Sequence, residues 1–152
     1  MTIDQELVTR KLLLITKDLE ALGLVAATDV AKYLQSSFDQ AVVERYLERM
    51  IGRMIDINYH VITESGYPPP PDYYASFTGL ADLKILEPEF AQRIARCAGL
   101  RNRLVHEYNE IDPRKVFAKI PRRFMERRMK KSLPIVLALA LLSSVTTRAR
   151  HA

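Results

Sequence analysis

The stretch Val42-Val43-Glu44-Arg45-Tyr46-Leu47-Glu48-Arg49-Met50-Ile51-Gly52-Arg53-Met54-Ile55-Asp56-Ile57-Asn58-Tyr59-His60-Val61-Ile62 decides the fold. Val42, Val43, Tyr46, Leu47, Met50, Ile51, Met54, Ile55 and Ile62, with Asn58 in register, recur at i, i+3, i+4 and i+7, the signature of one helix face. The spacing predicts a long helix over Asp39–Glu64. It has to stop before Gly66 and the run Pro68-Pro69-Pro70-Pro71, because consecutive prolines have no N–H to donate and block the preceding turn. The proline run reads as a stiff spacer, with a proline-ligand motif as the weaker alternative.

Working outward, Ile3, Leu7, Leu12, Ile15, Leu19 and Leu22 predict a helix over residues 3–22, with Gly23 as its stop. Thr28 or Asp29 is placed to cap a short helix running to Leu34–Ser36. Beyond the prolines, Tyr74–Leu83 reads as a short helix with Leu80, Leu83 and Ile85 facing inward. Glu87–Tyr108 reads as a second long one, with Phe90, Ile94, Cys97, Leu100, Leu104 and Val105 on its buried stripe. Asp112-Pro113 supplies an N-cap followed by proline at the first helical position, opening a helix with Val116, Phe117, Ile120 and Phe124 on one face. The expected fold is therefore all-α: an antiparallel helical bundle over residues 1–120 around two long central helices, Asp39–Glu64 and Glu87–Tyr108. Residues 121–152 follow as a basic, then apolar, extension or closing helix.

At 152 residues the chain is long enough for one core and too short for two. Only five glycines argue against a many-turned β architecture. A single cysteine, Cys97, excludes an internal disulfide framework, and no Cys/His spacing resembles a zinc site. Cys97 reads as a small core residue in a reducing compartment. The apolar run Leu12–Ile15 is too short for a signal peptide, and Leu133–Leu142 is about half the length of a spanning helix. A cytoplasmic protein with no membrane segment is expected. The net charge of +5 is uneven: up to Asp112 acids outnumber bases, while Glu126 is the one acid after it. The basic excess thus belongs to the tail. Arg114, Lys115, Lys119, Arg122, Arg123, Arg127, Arg128 and Lys130 could add phosphate contacts there, although a solvated charged face is the commoner meaning.

The stretch richest in chemistry is Arg101-Asn102-Arg103-Leu104-Val105-His106-Glu107-Tyr108. It puts a guanidinium, a carboxamide, an imidazole and a phenol on two turns of one helix. Of the other histidines, His60 lies in the first long helix and His151 in the tail. At about 100° per residue, Arg101 and His106 lie roughly 140° apart and do not meet head-on within one helix. Two copies facing each other across a two-fold axis would gather two arginines and two histidines in one cleft. Such a cleft suits metal-free RNA cleavage. Histidine can take the 2′-OH proton or protonate the departing 5′-oxygen near neutral pH, and arginine matches phosphate oxygens bidentately. In the plainer alternative Arg101 pairs with an acid such as Asp56, and His106 caps a helix end.

Arg101-x4-His106-x-Tyr108 resembles the R-x4-6-H signature of the HEPN superfamily (higher eukaryotes and prokaryotes nucleotide-binding), in the R-x4-H-x-Y form of HepT-like toxins. The resemblance extends through Asp56-Ile57-Asn58-Tyr59-His60, Tyr74–Leu83 and Arg101–Asp112, roughly residues 40 to 117. It implies a homodimeric ribonuclease toxin that needs no metal or other cofactor and has its active site at the dimer cleft. By the same resemblance Arg101 would hold the scissile phosphate, His106 would handle the 2′-OH proton, and Asn102 and, more weakly, Asp56 would contact substrate. Tyr108 would be the hydroxyl AMPylated by a minimal nucleotidyltransferase antitoxin, placing bulk and negative charge where an RNA phosphate must enter. HepT-like chains usually finish with an amphipathic helix, and here the pattern dissolves after about Ile120, as a closing helix or a frame-shifted replacement. The alternatives are a non-catalytic nucleotide- or nucleotidyltransferase-binding module and a purely structural dimerisation bundle.

Overall fold

The computed structural model describes residues 2–107 and 111–120. They form α1 (Gln5–Ala26), α2 (Val30–Gln35), α3 (Ser37–Glu64), α4 (Tyr73–Asp82), α5 (Pro88–Ala95), α6 (Cys97–His106) and α7 (Pro113–Lys119), with no strand among the described residues. The fold is the expected all-α bundle. Most helix starts are encoded locally. The side chains of Asp4, Ser36, Asp72 and Asp112 accept the backbone N–H of Leu7, Asp39, Ala75 and Arg114, satisfying donors that a helix leaves unpaired at its first turn. Pro88 and Pro113 occupy first-turn positions, where a missing N–H costs nothing.

The central element is α3, with α1 lying antiparallel beside it. The pairing runs in opposite directions along the two helices. The Asp4 backbone N–H donates to His60 Nε2 at 2.9 Å, Lys11 Nζ meets Asp56 at 2.7 Å, and Asp18 receives Arg49 at 3.1 Å and also Arg53. Three groups of buried side chains surround α3. Leu19, Leu22, Tyr33, Val43, Leu47, Met50, Leu104, Val116, Phe117 and Ile120 pack at one end, where the Tyr33 ring stacks on Phe117 with centroids 4.6 Å apart. Val8, Ile57, Val61, Ile62, Leu80 and Leu83 join α1, α3 and α4 at the other end. Ile51, Ile55, Phe77, Ala95 and Ala98 seat the α5–α6 arm. Each large apolar side chain taken from water contributes on the order of 2 kcal/mol, so the periodic face of α3 is what organises the molecule.

Several expectations need correction. Gly23 does not stop α1, which continues to Ala26. One glycine costs a helix only about 1 kcal/mol, less than the burial of its neighbours returns. The turn comes instead at Ala27–Thr28, where the Thr28 hydroxyl donates to the Val25 carbonyl at 2.6 Å. Ser36 ends α2 as expected, its N–H turning to the Tyr33 carbonyl, and at the same time caps α3. The second long helix is in fact two: at Arg96 the backbone keeps helical angles, but its N–H turns to the Ile94 carbonyl and breaks the ladder. The break lets α5 pack on α4 while α6 packs on α3. The buried stripe of this arm is also narrower than the large residues suggested. Ala91, Ala95, Ala98 and Leu104 are buried, whereas Phe90, Ile94, Cys97, Leu100 and Val105 are only half-buried at its flanks. Small residues at the contact line allow the helices to approach closely.

The chain turns out of α3 at Gly66, whose positive φ of 86° is the left-handed conformation glycine adopts without strain. The proline run then leads to α4, and the Tyr59 hydroxyl ties it back to α3 by donating to the Pro70 carbonyl at 3.0 Å. At Gly79 a β-carbon would stand only 3.0 Å from Ile62 Cδ1, so this glycine sets how tightly α4 sits on α3. Among the described residues no helix is long and apolar enough to cross a membrane. Phe124 and the extension at 121–152 lie outside the described residues.

Candidate active site

Arg101 sits midway along α6, which lies against α3. It is half-buried, and no ion pair joins it to an acid among the described residues. The guanidinium carbon lies 4.9 Å from the centroid of the Tyr73 ring, at the first residue of α4. Its Nε is buried without a hydrogen-bond partner among the described residues. Across from it, α3 presents Gly52, where an added β-carbon would stand 3.7 Å from Nε. The arginine therefore lies in room left by a missing side chain, under an aromatic ring, with its charge not neutralised by any described acid. A buried polar atom left unpaired costs on the order of 1–3 kcal/mol, so the arrangement is not the cheapest way to store an arginine.

The plainer alternative, an Arg101–Asp56 ion pair, is not what forms. Asp56 is exposed on α3 and accepts from Lys11 of α1. His106 is the last residue of α6 and is exposed, as is Asn102. No described hydrogen bond or ring contact joins His106 to Arg101. One copy of the chain thus brings Arg101 together with Tyr73 and Gly52, and leaves Asn102 and His106 facing solvent. Tyr108 lies outside the described residues. His60 is engaged elsewhere, as the acceptor for the Asp4 N–H.

Other ionisable groups are structural. Asp18 is almost fully buried, its side chain 3% exposed, and its carboxylate is shared by Arg49 and Arg53 of α3. Burial pushes the Cys97 thiol up to about 12, leaving it protonated and a poor nucleophile. Burial also raises the Tyr59 phenol, with Tyr73 and Asp72 adding to the effect. Among the described residues no group of three His, Cys, Asp or Glu side chains is gathered to hold a metal ion. A cleft between α4 and α5, lined by Thr78, Ala81, Asp82, Pro88, Ala91 and Gln92, contains none of the candidate residues.

Reading the sequence missed three features here. Gly52 interrupts the most regular helix of the chain, a visible sign that something approaches closely. Tyr73 follows a proline run and a capping aspartate, which places it rigidly but does not reveal its partner. Asp18 stands in an apolar stripe between Ile15 and Leu19, a position where an acid has to be paired.

Comparison with known proteins bears on what this arrangement does. The family described as ribonuclease HepT-like matches residues 15–129. A tRNA nuclease HepT from Aphanizomenon flos-aquae is 36% identical over 118 residues, covering 78% of this chain and 80% of the relative. A putative RNase from Archaeoglobus fulgidus is 27% identical over 95 residues, covering 62% of this chain and 71% of the relative.

Proposed function

The chain belongs to the HepT-like ribonuclease family, and from that premise we propose that it is the toxin of a toxin–antitoxin pair, cleaving RNA through Arg101 and His106 in a cleft between two copies. The observation that carries this reading is the state of Arg101. It is a half-buried guanidinium held without a described counter-ion, on a helix whose last residue is the exposed His106. A cation kept free of carboxylates is suited to an incoming phosphate.

In the proposed reaction the 2′-oxygen attacks the adjacent phosphorus while His106 accepts the 2′-OH proton. The P–O5′ bond breaks, the electron pair leaves on O5′, and the His106 of the second copy supplies the proton that makes it a 5′-hydroxyl. The other product is a 2′,3′-cyclic phosphate. Arg101 carries the charge that builds on the non-bridging oxygens. Asn102, exposed and next in sequence, offers a carboxamide to the substrate. Asp56, exposed and bridged to Lys11 through one carboxylate oxygen, keeps its other oxygen open to substrate. The description of the Aphanizomenon relative makes tRNA the first substrate to test. Silencing by a minimal nucleotidyltransferase antitoxin, through adenylate on Tyr108, completes the proposed system as a type VII pair.

The test is RNA cleavage by the wild type, Arg101→Ala and His106→Ala, with the end groups identified. Loss of about 100-fold or more in each variant, with cyclic phosphate ends in the wild type, supports the reading. Equal cleavage by wild type and His106→Ala overturns it. Light scattering reports the dimer, and a mass increase confined to Tyr108 after co-expression with the antitoxin reports the regulation.

A further inference from the structure

We propose that Tyr73 is a positioning residue for Arg101: its ring, in place of a carboxylate, holds the guanidinium and leaves the full charge available to an RNA phosphate. The inference rests on the reading of Arg101 as the phosphate-binding group.

Tyr73 adds little to the packing that holds the helices together. Its side chain is substantially exposed and it belongs to none of the three buried groups that hold the helices together. The phenol lies near that of Tyr59, and the ring faces the guanidinium at 4.9 Å, well within the range over which the negative face of an aromatic ring attracts a cation. Its position is nonetheless fixed from several sides. Asp72 caps the helix by accepting from the Ala75 N–H at 2.7 Å, and the Ser76 hydroxyl donates to the Tyr73 carbonyl at 2.7 Å. Gly79 lets α4 press against α3, and the proline run before it is stiff and tied down by Tyr59.

The chemistry favours a ring over an acid at this place. A carboxylate against Arg101 would neutralise the charge and compete with the phosphate for the same N–H groups. A ring orients the guanidinium plane, shields one face from water and contributes no opposing charge. Asp56 of α3, the acid that the spacing offered as a partner, is bridged to Lys11 instead.

The experiment is a double-mutant cycle. Tyr73→Phe, Tyr73→Leu and Tyr73→Gln are made in the wild type and in Arg101→Ala, with folding checked by circular dichroism. RNA cleavage is read as kcat and KM, and affinity is read with a 2′-deoxy-substituted oligonucleotide that cannot be cleaved. Tyr73→Leu and Tyr73→Gln are expected to lower kcat/KM about 3- to 30-fold, the range expected from losing a cation–ring contact. Tyr73→Phe, which keeps the ring, stays close to wild type. In the Arg101→Ala background none of the three changes residual cleavage or oligonucleotide affinity further. Equal damage by Tyr73→Phe and Tyr73→Leu, an unchanged Tyr73→Leu enzyme, or the same loss in both backgrounds overturns the proposal. An inactive Arg101→Ala beside a fully active Tyr73→Leu removes this inference alone. Full activity of Arg101→Ala removes the underlying reading of the arginine, and this inference with it.

Discussion

Asp56 of α3 gives its carboxylate to Lys11 of α1, 2.7 Å away, and stands apart from Arg101, although Gly52, about one turn earlier on the same helix, lies against that arginine. The pair is a surface bridge: the aspartate side chain is 58% exposed. Bridges of this kind contribute under about 1 kcal/mol. Asp56→Ala is accordingly expected to lower the urea midpoint only slightly and to change RNA cleavage by a small factor. A loss comparable with that of Arg101→Ala would show that Asp56 acts on substrate and not only on Lys11.

The buried carboxylate behaves differently. Asp18 receives two arginines, one of them, Arg53, itself largely buried. Removing the acid strands both cations beside the α1–α3 contact, and Asp18→Ala is expected to cost about 2–4 kcal/mol in chemical unfolding. Arg49→Met should cost under about 1 kcal/mol, since Arg53 still satisfies the aspartate and Arg49 is the more exposed of the two. Equal losses in the two variants would contradict this division.

Lys84 follows α4 with a φ of 58°, a left-handed conformation that an L side chain adopts at a cost of about 1 kcal/mol. It is there because the Lys84 and Ile85 N–H groups close the helix end onto the Ala81 and Leu80 carbonyls, at 2.8 and 2.9 Å. Lys84→Gly keeps both bonds and removes the strain, so thermal and urea midpoints are expected to rise, by roughly 1 kcal/mol or less. A fall in either would show that the lysine side chain contributes more than the backbone costs.

Alkali should destabilise the protein chiefly through the Tyr33 phenol and the Cys97 thiol, with the Tyr59 phenol acting in the same direction. Burial, with Glu44 and Asp39 adding to it, pushes the Tyr33 phenol up to about 12, and burial pushes the Cys97 thiol up to about 12. Both are acids whose neutral form the folded chain favours. As pH rises from about 9 toward 12, the unfolded chain releases these protons first, so stability falls through that window. Urea midpoints measured from pH 8 to 10.5 should decline, and the decline should be shallower in Tyr33→Phe and in Cys97→Ala. An unchanged slope in both variants would remove the assignment.

How much of this was legible follows from which interactions are local. The face of α3, the stop at Gly66, and the Asp112-Pro113 start of α7 depend on neighbours within a turn or two, and the structure has them where the spacing puts them. The break at Arg96 does not: it reflects α5 and α6 having different partners, and nothing in the local sequence marks it. The preference for Ala91, Ala95 and Ala98 over Phe90 and Ile94 at the contact line likewise depends on how near α3 and α4 come. At the site, residue type and spacing single out Arg101 and His106. The Tyr73–Arg101 contact joins α4 to α6 and was visible only once the helices were packed.

Gly52 has one more consequence. Because Arg101 Nε would meet a β-carbon there at ordinary contact distance, 3.7 Å, alanine fits and anything longer has to push outward. The space beside that charge is left open from a neighbouring helix, by a residue with no side chain of its own.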